Sequence, residues 1–152
     1  MRQERYAVQT SVSPSGAPQA ALIGIVVSDR FEVFFDTLDT SRKAVNLAHD
    51  PRAAFVLGTA DADSQRTVQF EGVADRPTGS DLKRLLRLYF ARFPDGPARQ
   101  DWPGLIYVRV TPTWIRYSNF ATQPVQIMEF RPGGANDRFI QYPVRRPAVV
   151  SK

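Results

Sequence analysis

Short runs in which apolar and polar residues alternate make up most of the chain. The first extends from about Tyr6 to Val12 and ends in the turn sequence SPSGAP, and the second extends from about Gln19 to Val27. Both are rich in β-branched residues and end near turn-forming residues, which is typical of β-strands joined by tight turns. The next run, FEVFFD at residues 31–36, puts alternate side chains on opposite faces and predicts a hairpin after the turn SDR.

Two strands are predicted in the middle of the chain. Residues 52–58, RAAFVLG, form a short and nearly continuous apolar run, and residues 66–75, RTVQFEGVAD, alternate in polarity. In the alternating strand Thr67 and Gln69 share a face that is mainly polar, opposite a face of apolar residues. Gly72 predicts a β-bulge or a close approach of another backbone.

The C-terminal third contains three further strand signals. LIYVRV and TWIRYS predict two strands that Thr111 and Pro112 separate, and QIMEF predicts a last strand at residues 126–130. From about residue 131 to residue 152, the chain is predicted to form an extended tail over the surface or over a partner.

Two segments have the period of an amphipathic helix. The first begins at TSRKAV, with Thr40 or Ser41 as the N-cap, and ends before Pro51. The second, SDLKRLLRLYFARF, has Ser80 as its expected N-cap and ends before Pro94. The predicted apolar stripes are Ala44, Leu47 and Ala48 in the first helix and Leu82, Leu85, Leu86, Tyr89, Phe90 and Phe93 in the second.

These elements predict a mainly β fold, an antiparallel β-barrel with peripheral helices. Many short strands with only two helical interruptions favour a barrel, whereas a doubly wound parallel sheet requires strands and helices to alternate. With 152 residues, of which 43% are apolar, the chain is expected to form a single domain with one main core.

The composition excludes several classes of chemistry. The sequence has no cysteine and a single histidine, His49, so a thiol nucleophile, a thiolate or histidine metal centre and a Ser-His triad are not expected. The formal charge of +5 comes from dispersed arginines, which favours a solvated surface over a nucleic-acid interface and is compatible with a phosphorylated ligand. Because no long apolar run or signal peptide is present, we expect a cytoplasmic protein.

The first turn of the first helix contains two cations, Arg42 and Lys43. A helix N-terminus carries partial positive charge and unpaired N–H groups, so it favours anions over cations. On one interpretation both side chains are solvated, and the nearby carboxylates of Asp36 and Asp39 offset their charge.

On the other interpretation the same turn binds a phosphate. The hydroxyls of Thr37 and Ser41, the free N–H groups of the turn, and the side chains of Arg42 and Lys43 would converge on the phosphate oxygens. Arginine presents a planar fork to two oxygens and lysine adds a point charge, so the pair neutralises a dianion. The spacing alone does not distinguish the two interpretations.

A longer set of motifs resembles a known family. FFDTLDTSRKAVNLAHDPRAAFVLG, RTVQFEGVAD, YFARFPDG and VRVTPTWIRYSNF occur in order between about residues 16 and 120. Together they resemble the pyridoxamine 5′-phosphate oxidase-related proteins, which form the FMN-binding split-barrel superfamily. The resemblance implies a six-stranded antiparallel split barrel, a homodimer, and one FMN in each of two clefts at the subunit interface.

The resemblance also implies which residues contact the cofactor. Those that would hold the FMN phosphate are Thr37, Ser41, Arg42 and Lys43. On the strand at 66–75, those that would face the flavin or its ribityl chain are Thr67 and Gln69. Trp114 and Arg116 lie near the place where, in these proteins, a C-terminal Trp and Arg of the neighbouring subunit contribute to the site. Without the resemblance, Gln69 is a solvent-facing strand residue, Trp114 is a half-buried aromatic that Arg116 covers, and His49 has a structural role at a helix C-terminus.

The sequence departs from the family pattern in two places. Authentic pyridoxamine phosphate oxidases carry an arginine and a lysine on the strand that here reads QAALIGIVV, and their C-terminal recognition segment is not found in the tail. The resemblance therefore implies a flavin-dependent oxidoreductase that acts on an unknown small molecule, but not vitamin B6 oxidation. The alternatives are a deazaflavin-dependent reductase on the same barrel and a non-catalytic protein that binds flavin or heme.

Overall fold

The structure is a computed structural model, and it describes residues 1–58, 65–122, 124–133 and 138–142. Within these residues nine strands form one sheet, and two α-helices and a short 3₁₀ helix at Pro97–Arg99 accompany it. The elements in chain order are β1 Tyr6–Val12, β2 Pro18–Gly24, β3 Val26–Val27, β4 Val33–Leu38, α1 Arg42–His49, β5 Arg52–Leu57, β6 Arg66–Asp75, α2 Gly79–Arg92, β7 Leu105–Asn119, β8 Gln126–Gly133 and β9 Arg138–Tyr142.

The sheet is antiparallel and curls into a half-barrel. Its strands follow the order β2-β1-β5-β6-β7-β4-β3, and β8 also pairs with β7 before it pairs with β9. One edge of β7 is therefore shared by two strands, since residues 105–110 pair with β4 and residues 115–119 pair with β8. This split of the barrel wall confirms the predicted fold, a mainly β split barrel with peripheral helices.

A bulge at Gly72 lets one long strand replace the two that the sequence predicts. Glu71 pairs with Trp114 but Gly72 pairs with Pro112, so β7 has an extra residue at this point. Proline has no N–H to donate to the ladder, and a bulge is one of the few sites inside a sheet that accommodates it. The predicted break at Thr111 and Pro112 is therefore wrong, whereas the predicted bulge at Gly72 is confirmed.

Two cores pack against opposite faces of the sheet. Inside the barrel the rings of Phe35, Phe55 and Phe70 make edge contacts, with centroids 6.3 Å and 5.6 Å apart. Outside it, α2 packs on Phe34 through an apolar stripe that includes Leu85, and the predicted stripe of α2 is confirmed. The alternation in FEVFFD places neighbouring phenylalanines on opposite faces, as the sequence predicts. There they join two cores, whereas one main core was expected.

Hydrogen bonds and ion pairs fix α2 on the sheet. The Tyr89 hydroxyl donates to Asp36 at 2.7 Å, and Arg99 Nε donates to the same carboxylate at 3.1 Å. Burial, and then this hydrogen bond to Asp36, raise the pKa of Tyr89. The buried carboxylate of Glu32 accepts from Ser28 at 2.7 Å and pairs with Arg84 at 2.8 Å. Asp36 is therefore part of the attachment of α2.

The second helix starts earlier than expected. Its N-cap residue is Thr78 and its first residue is Gly79, so Ser80 lies inside the helix and the Ser80 N-cap prediction is wrong. The Thr78 side chain makes no capping hydrogen bond, but Asp81 places a carboxylate in the first turn, where the helix dipole favours it. Among the described residues, no helix is long and apolar enough to cross a lipid bilayer.

Replacing Gly72 by Ala should destabilise the fold. The added Cβ would lie 2.4 Å from the Thr111 carbonyl oxygen and 2.8 Å from Val110 Cγ1, so β6 and β7 would have to move apart. We expect the free energy of unfolding to fall by about 2–3 kcal/mol, as for an overpacked core, and urea denaturation would measure it. Gly16→Ala is the control, because Gly16 has a φ of +85° and open space, so only the backbone cost of about 1 kcal/mol applies. An equal or smaller loss at Gly72 would contradict the close approach.

Candidate functional site

The first turn of α1 is capped by Ser41 and contains no acidic residue. The Ser41 side chain accepts from the Ala44 N–H at 3.3 Å, and its carbonyl oxygen accepts from the Val45 N–H at 3.0 Å. Of the two N-cap candidates, Thr40 and Ser41, the structure thus selects Ser41. The N–H groups of the first helical residues point away from any acceptor of the helix itself, which is the usual condition of a helix N-terminus.

Three of the predicted phosphate-binding residues come together at this turn. The hydroxyl oxygens of Thr37 and Ser41 lie 2.9 Å apart, and Lys43 Nζ donates to Thr37 Oγ1 at 3.4 Å. Thr37 is buried and Lys43 is half-buried, so the ammonium group lies over the hydroxyl pair instead of extending into solvent. Arg42 is exposed at the start of the same turn.

The acidic neighbours of this turn make contacts elsewhere. Asp36 lies on the α2 side of β4, where it binds Tyr89 and Arg99. The Asp39 carboxylate lies close to Gly104. If Gly104 had a Cβ atom, that atom would be 2.6 Å from Asp39 Oδ1. Within the described ranges, no ion pair joins either carboxylate to Arg42 or Lys43. Neither cation is therefore directly paired with one of these two acids.

A pocket of about 260 Å³ adjoins the two cations. It lies between the start of α1 and the ends of β1 and β2, and the residues that line it are Gln9, Ser11, Gln19, Ala20, Ala21, Arg42 and Lys43. The cations form one side of the pocket, and the other sides are neutral. Two small residues of β2, Ala20 and Ala21, are among the neutral lining.

Sequence reasoning missed a set of buried polar residues beside this pocket. Gln9, Ser11 and Asn46 are only 1%, 4% and 3% exposed. Asn46 Nδ2 donates to Ser11 Oγ and to Gln19 Oε1, both at 3.0 Å. Buried polar side chains need such partners, because an unpaired one costs free energy. A signal was present, since the alternation in AVQTSV puts Gln9 and Ser11 on the same face as the core residue Ala7.

The buried stripe of α1 also differs from its prediction. Ala44 and Leu47 are buried as predicted, but Ala48 is exposed and Asn46 is buried instead. The helix is rotated so that Asn46 faces β1, where its amide meets Ser11. His49 is exposed in the last turn of α1, at the end of the helix remote from the pocket.

The other four predicted site residues lie together on the outer face of the sheet. Gln69 and Arg116 are cross-strand partners on β6 and β7, and Trp114 is opposite Glu71 two pairs further along. Arg116 Nη1 is 3.7 Å from Glu129 Oε1, and its Nε is buried without a partner. Thr67 is half-buried at the same face. None of these four residues lines the pocket at α1, which opens on the inner side of the sheet.

Comparison with known proteins assigns the fold to a family. A family model described as pyridoxamine 5′-phosphate oxidase matches residues 1–119. The chain belongs to the pyridoxamine 5′-phosphate oxidase family. This confirms the resemblance that the sequence motifs carry. No curated protein matches the chain.

Solved structures with the same fold include proteins with different ligands. A conserved hypothetical protein from Mycobacterium tuberculosis is 28% identical, with a TM-score of 0.64 over 78% of this chain and 79% of that chain. A heme binding protein from Mycobacterium smegmatis is 19% identical, with a TM-score of 0.70 over 81% of this chain but 52% of that chain. The chain described here therefore spans about half the length of the heme binding protein from Mycobacterium smegmatis.

A third similar structure is a pyridoxamine 5′-phosphate oxidase-related, FMN binding protein from Nostoc punctiforme. It is 13% identical, with a TM-score of 0.70 over 93% of this chain and 87% of that chain. At this identity the likeness shows a shared fold. Because similar folds bind FMN in one protein and heme in another, the ligand has to be argued from the residues of this chain. Within the described residues, no group of three or more His, Cys, Asp and Glu residues could hold a metal ion.

The capping role of Ser41 can be tested against its neighbour. Ser41→Ala removes the acceptor of the Ala44 N–H, so we expect the free energy of unfolding to fall by about 1 kcal/mol. Thr40→Ala, at an exposed position one residue earlier, should change it by no more than about 0.5 kcal/mol. Urea denaturation of both variants measures the difference. A larger loss for Thr40→Ala would mean that the helix is capped one residue earlier.

Proposed function

We propose that this family member binds FMN and acts as a flavin-dependent oxidoreductase on a small molecule. The observation that carries the proposal is the first turn of α1. There two cations line an open pocket, Lys43 also donates to the Thr37 hydroxyl of a hydroxyl pair, and neither nearby carboxylate forms an ion pair with the cations within the described residues. The proposed phosphate ligands are Thr37, Ser41, Arg42 and Lys43.

The donors at this turn fit a phosphate monoester. Serine and threonine hydroxyls, backbone N–H groups at a helix start and Arg or Lys side chains are the groups that proteins use for phosphate. A phosphate would also remove the unfavourable interaction of Arg42 and Lys43 with the helix dipole. The neutral amides and hydroxyl of Gln9, Ser11 and Gln19 add hydrogen-bonding capacity without further charge.

Two features favour FMN over the alternative ligands. A deazaflavin coenzyme has a longer, acidic tail and would need a basic channel beyond the phosphate, but the pocket wall beyond Lys43 consists of Gln9, Ser11, Ala20 and Ala21. A heme-binding role would depend on the single histidine for imidazole ligation, and His49 is exposed at the far end of α1. We therefore rank FMN above both.

When bound, FMN supplies hydride or electron transfer, and the protein supplies binding and orientation. Arg42 and Lys43 would neutralise the phosphate, and the hydroxyls of Thr37 and Ser41 would fix its position. On the outer face, Thr67 and Gln69 would orient the remainder of the ligand.

An apolar row on the outer face supports a homodimer. Leu22, Val8 and Val56 are aligned across β2, β1 and β5 and are 71%, 38% and 49% exposed. The row continues across β6 and β7 through Gln69 and Arg116, two of the proposed cofactor contacts. Burying these residues against a second copy would remove apolar surface from water. It would also place Gln69 and Arg116 at the edge of the subunit interface.

The phosphate site predicts a specific pattern of flavin affinity. Replacing both Arg42 and Lys43 by Ala should weaken FMN binding at least tenfold and riboflavin binding less than threefold, because only FMN carries the phosphate. Isothermal titration calorimetry of the protein stripped of ligand would measure both affinities. Lys83→Ala with Arg87→Ala, a pair of exposed cations on α2, is the control and should change neither.

The same titration tests the ligand itself. We expect the wild-type protein to bind FMN more tightly than a deazaflavin coenzyme or heme. Tighter binding of either competitor would overturn the assignment of FMN. Equal losses of FMN and riboflavin affinity in the double variant would contradict the phosphate site instead.

The apolar row predicts how association and cofactor binding are coupled. Leu22→Glu with Val56→Glu puts two carboxylates into the proposed interface, so the mass by light scattering should fall from twice the chain mass to the chain mass. FMN affinity should fall at least tenfold in the same variant. Leu88→Glu, at an apolar residue of α2 that is also exposed, should leave both unchanged. A variant that stays dimeric, or a monomer that keeps its FMN affinity, would refute this arrangement.

A further inference from the structure

The barrel contains a second cavity, on the side of the sheet opposite the proposed flavin contacts. Its volume is about 510 Å³, within the range of small-molecule sites. We propose that it binds an organic anion with an apolar body, such as an aromatic carboxylate or sulfonate. This inference does not depend on the identity of the flavin.

The cavity uses the inner side of strands whose outer side carries the cofactor residues. Val68 lines it from β6 and lies between Thr67 and Gln69 in sequence. Tyr117 lines it from β7 and follows Arg116. Because successive strand residues point to opposite faces, a ligand in this cavity would be separated from the flavin contacts by the sheet.

The walls are apolar and include side chains that adapt to a ligand. Met128 and Phe130 of β8 close one side where the barrel wall splits between β4 and β8. Methionine is flexible and polarisable, and it suits sites that accept ligands of variable shape. An apolar body would gain from burial here through the hydrophobic effect.

Phe31 forms another wall from an unusual backbone conformation. Its φ is +61°, which is uncommon for a bulky residue that is not glycine. The turn that holds it is fixed on both sides. The Phe31 N–H donates to the Ser28 carbonyl at 3.1 Å, and the Glu32 N–H donates to Ser28 Oγ at 3.1 Å. Such conformations persist where the surroundings impose them, and they are frequent at ligand sites.

Arg2 carries the charge that selects the ligand. Among the described residues that line the cavity, it is the one charged side chain. Its guanidinium lies over the Phe31 ring, 5.9 Å from the centroid, and Nη2 donates to the Asp29 carbonyl at 3.3 Å. The Arg2 carbonyl in turn accepts from Arg92 at 2.8 Å, which ties this segment to α2. A cation held at an apolar cavity matches an anionic head on an apolar body.

Two probes that share a ring system test this inference. 1-Anilinonaphthalene-8-sulfonate is the anionic probe and N-phenyl-1-naphthylamine is its neutral counterpart. We would titrate both by calorimetry into the full chain, with and without FMN at saturating concentration, so that any binding at the cofactor site is recognised by its loss when FMN is added. We expect the anion to bind at least fivefold more tightly than the neutral probe. Arg2→Met should abolish this preference and change the neutral probe less than twofold.

Occluding variants locate the binding site. Met128→Trp fills the cavity and Gln126→Trp covers its exposed rim, so each should weaken both probes at least tenfold. Gln126→Trp keeps the test valid if the Met128 variant does not fold. Leu88→Trp adds the same indole to the exposed face of α2 and should have no effect.

The inference is overturned by any of four results. These are no binding of the anionic probe, no loss of binding in the occluding variants, a preference for the anion that survives Arg2→Met, or an oligomeric mass that changes when the cavity is filled. The last result would show that a second copy of the chain occupies the cavity.

Discussion

The constraint on which this site depends is the positive charge at the start of α1. Arg42 and Lys43 lie in the first turn, and each costs about 0.3–1 kcal/mol against the helix dipole when exposed. One of the two carboxylates near them in sequence, Asp36, binds Tyr89 and Arg99 on the other side of β4. The contact that attaches α2 to the sheet therefore also keeps a carboxylate away from the turn.

Because side chains alternate between the two faces of the sheet, a single strand contributes residues both to the core or a pocket and to the outer surface. On β1, Ala7 and Gln9 point inward, where Ala7 joins the core and Gln9 borders the pocket at α1, while Val8 between them joins the exposed apolar row. On β6, the core residue Val68 lies between two proposed flavin contacts. A one-residue slip of either strand would exchange these faces, so the register of the sheet determines which residues can reach a ligand.

The local sequence pattern predicted those features of the structure that depend on residues close together in the chain. The faces of FEVFFD, the stripe of α2 and the bulge at Gly72 follow from side-chain periodicity and from the requirements of glycine. The continuity of β7 was missed, because Pro112 lacks an N–H and the bulge that accommodates it, an extra residue of β7 opposite Gly72, depends on the pairing of two strands. The buried amide of Asn46 was missed because its partner Ser11 is 35 positions away in sequence, and no local pattern records that contact. The family motifs recovered the fold and named candidate residues, but their relative positions required the sheet register.

The separation of the candidate residues into two groups has a thermodynamic consequence for the proposed function. The phosphate donors lie around α1, whereas Gln69 and Arg116 lie on the outer face beside the apolar row. If a single FMN contacts both groups, at least one group has to come from a second subunit or lie at its border. Cofactor binding and subunit association then share a free energy, and each must strengthen the other by the same factor. Under this proposal, the neutral pocket wall would limit the affinity that one subunit provides on its own, so a larger share of the binding free energy would come from the interface.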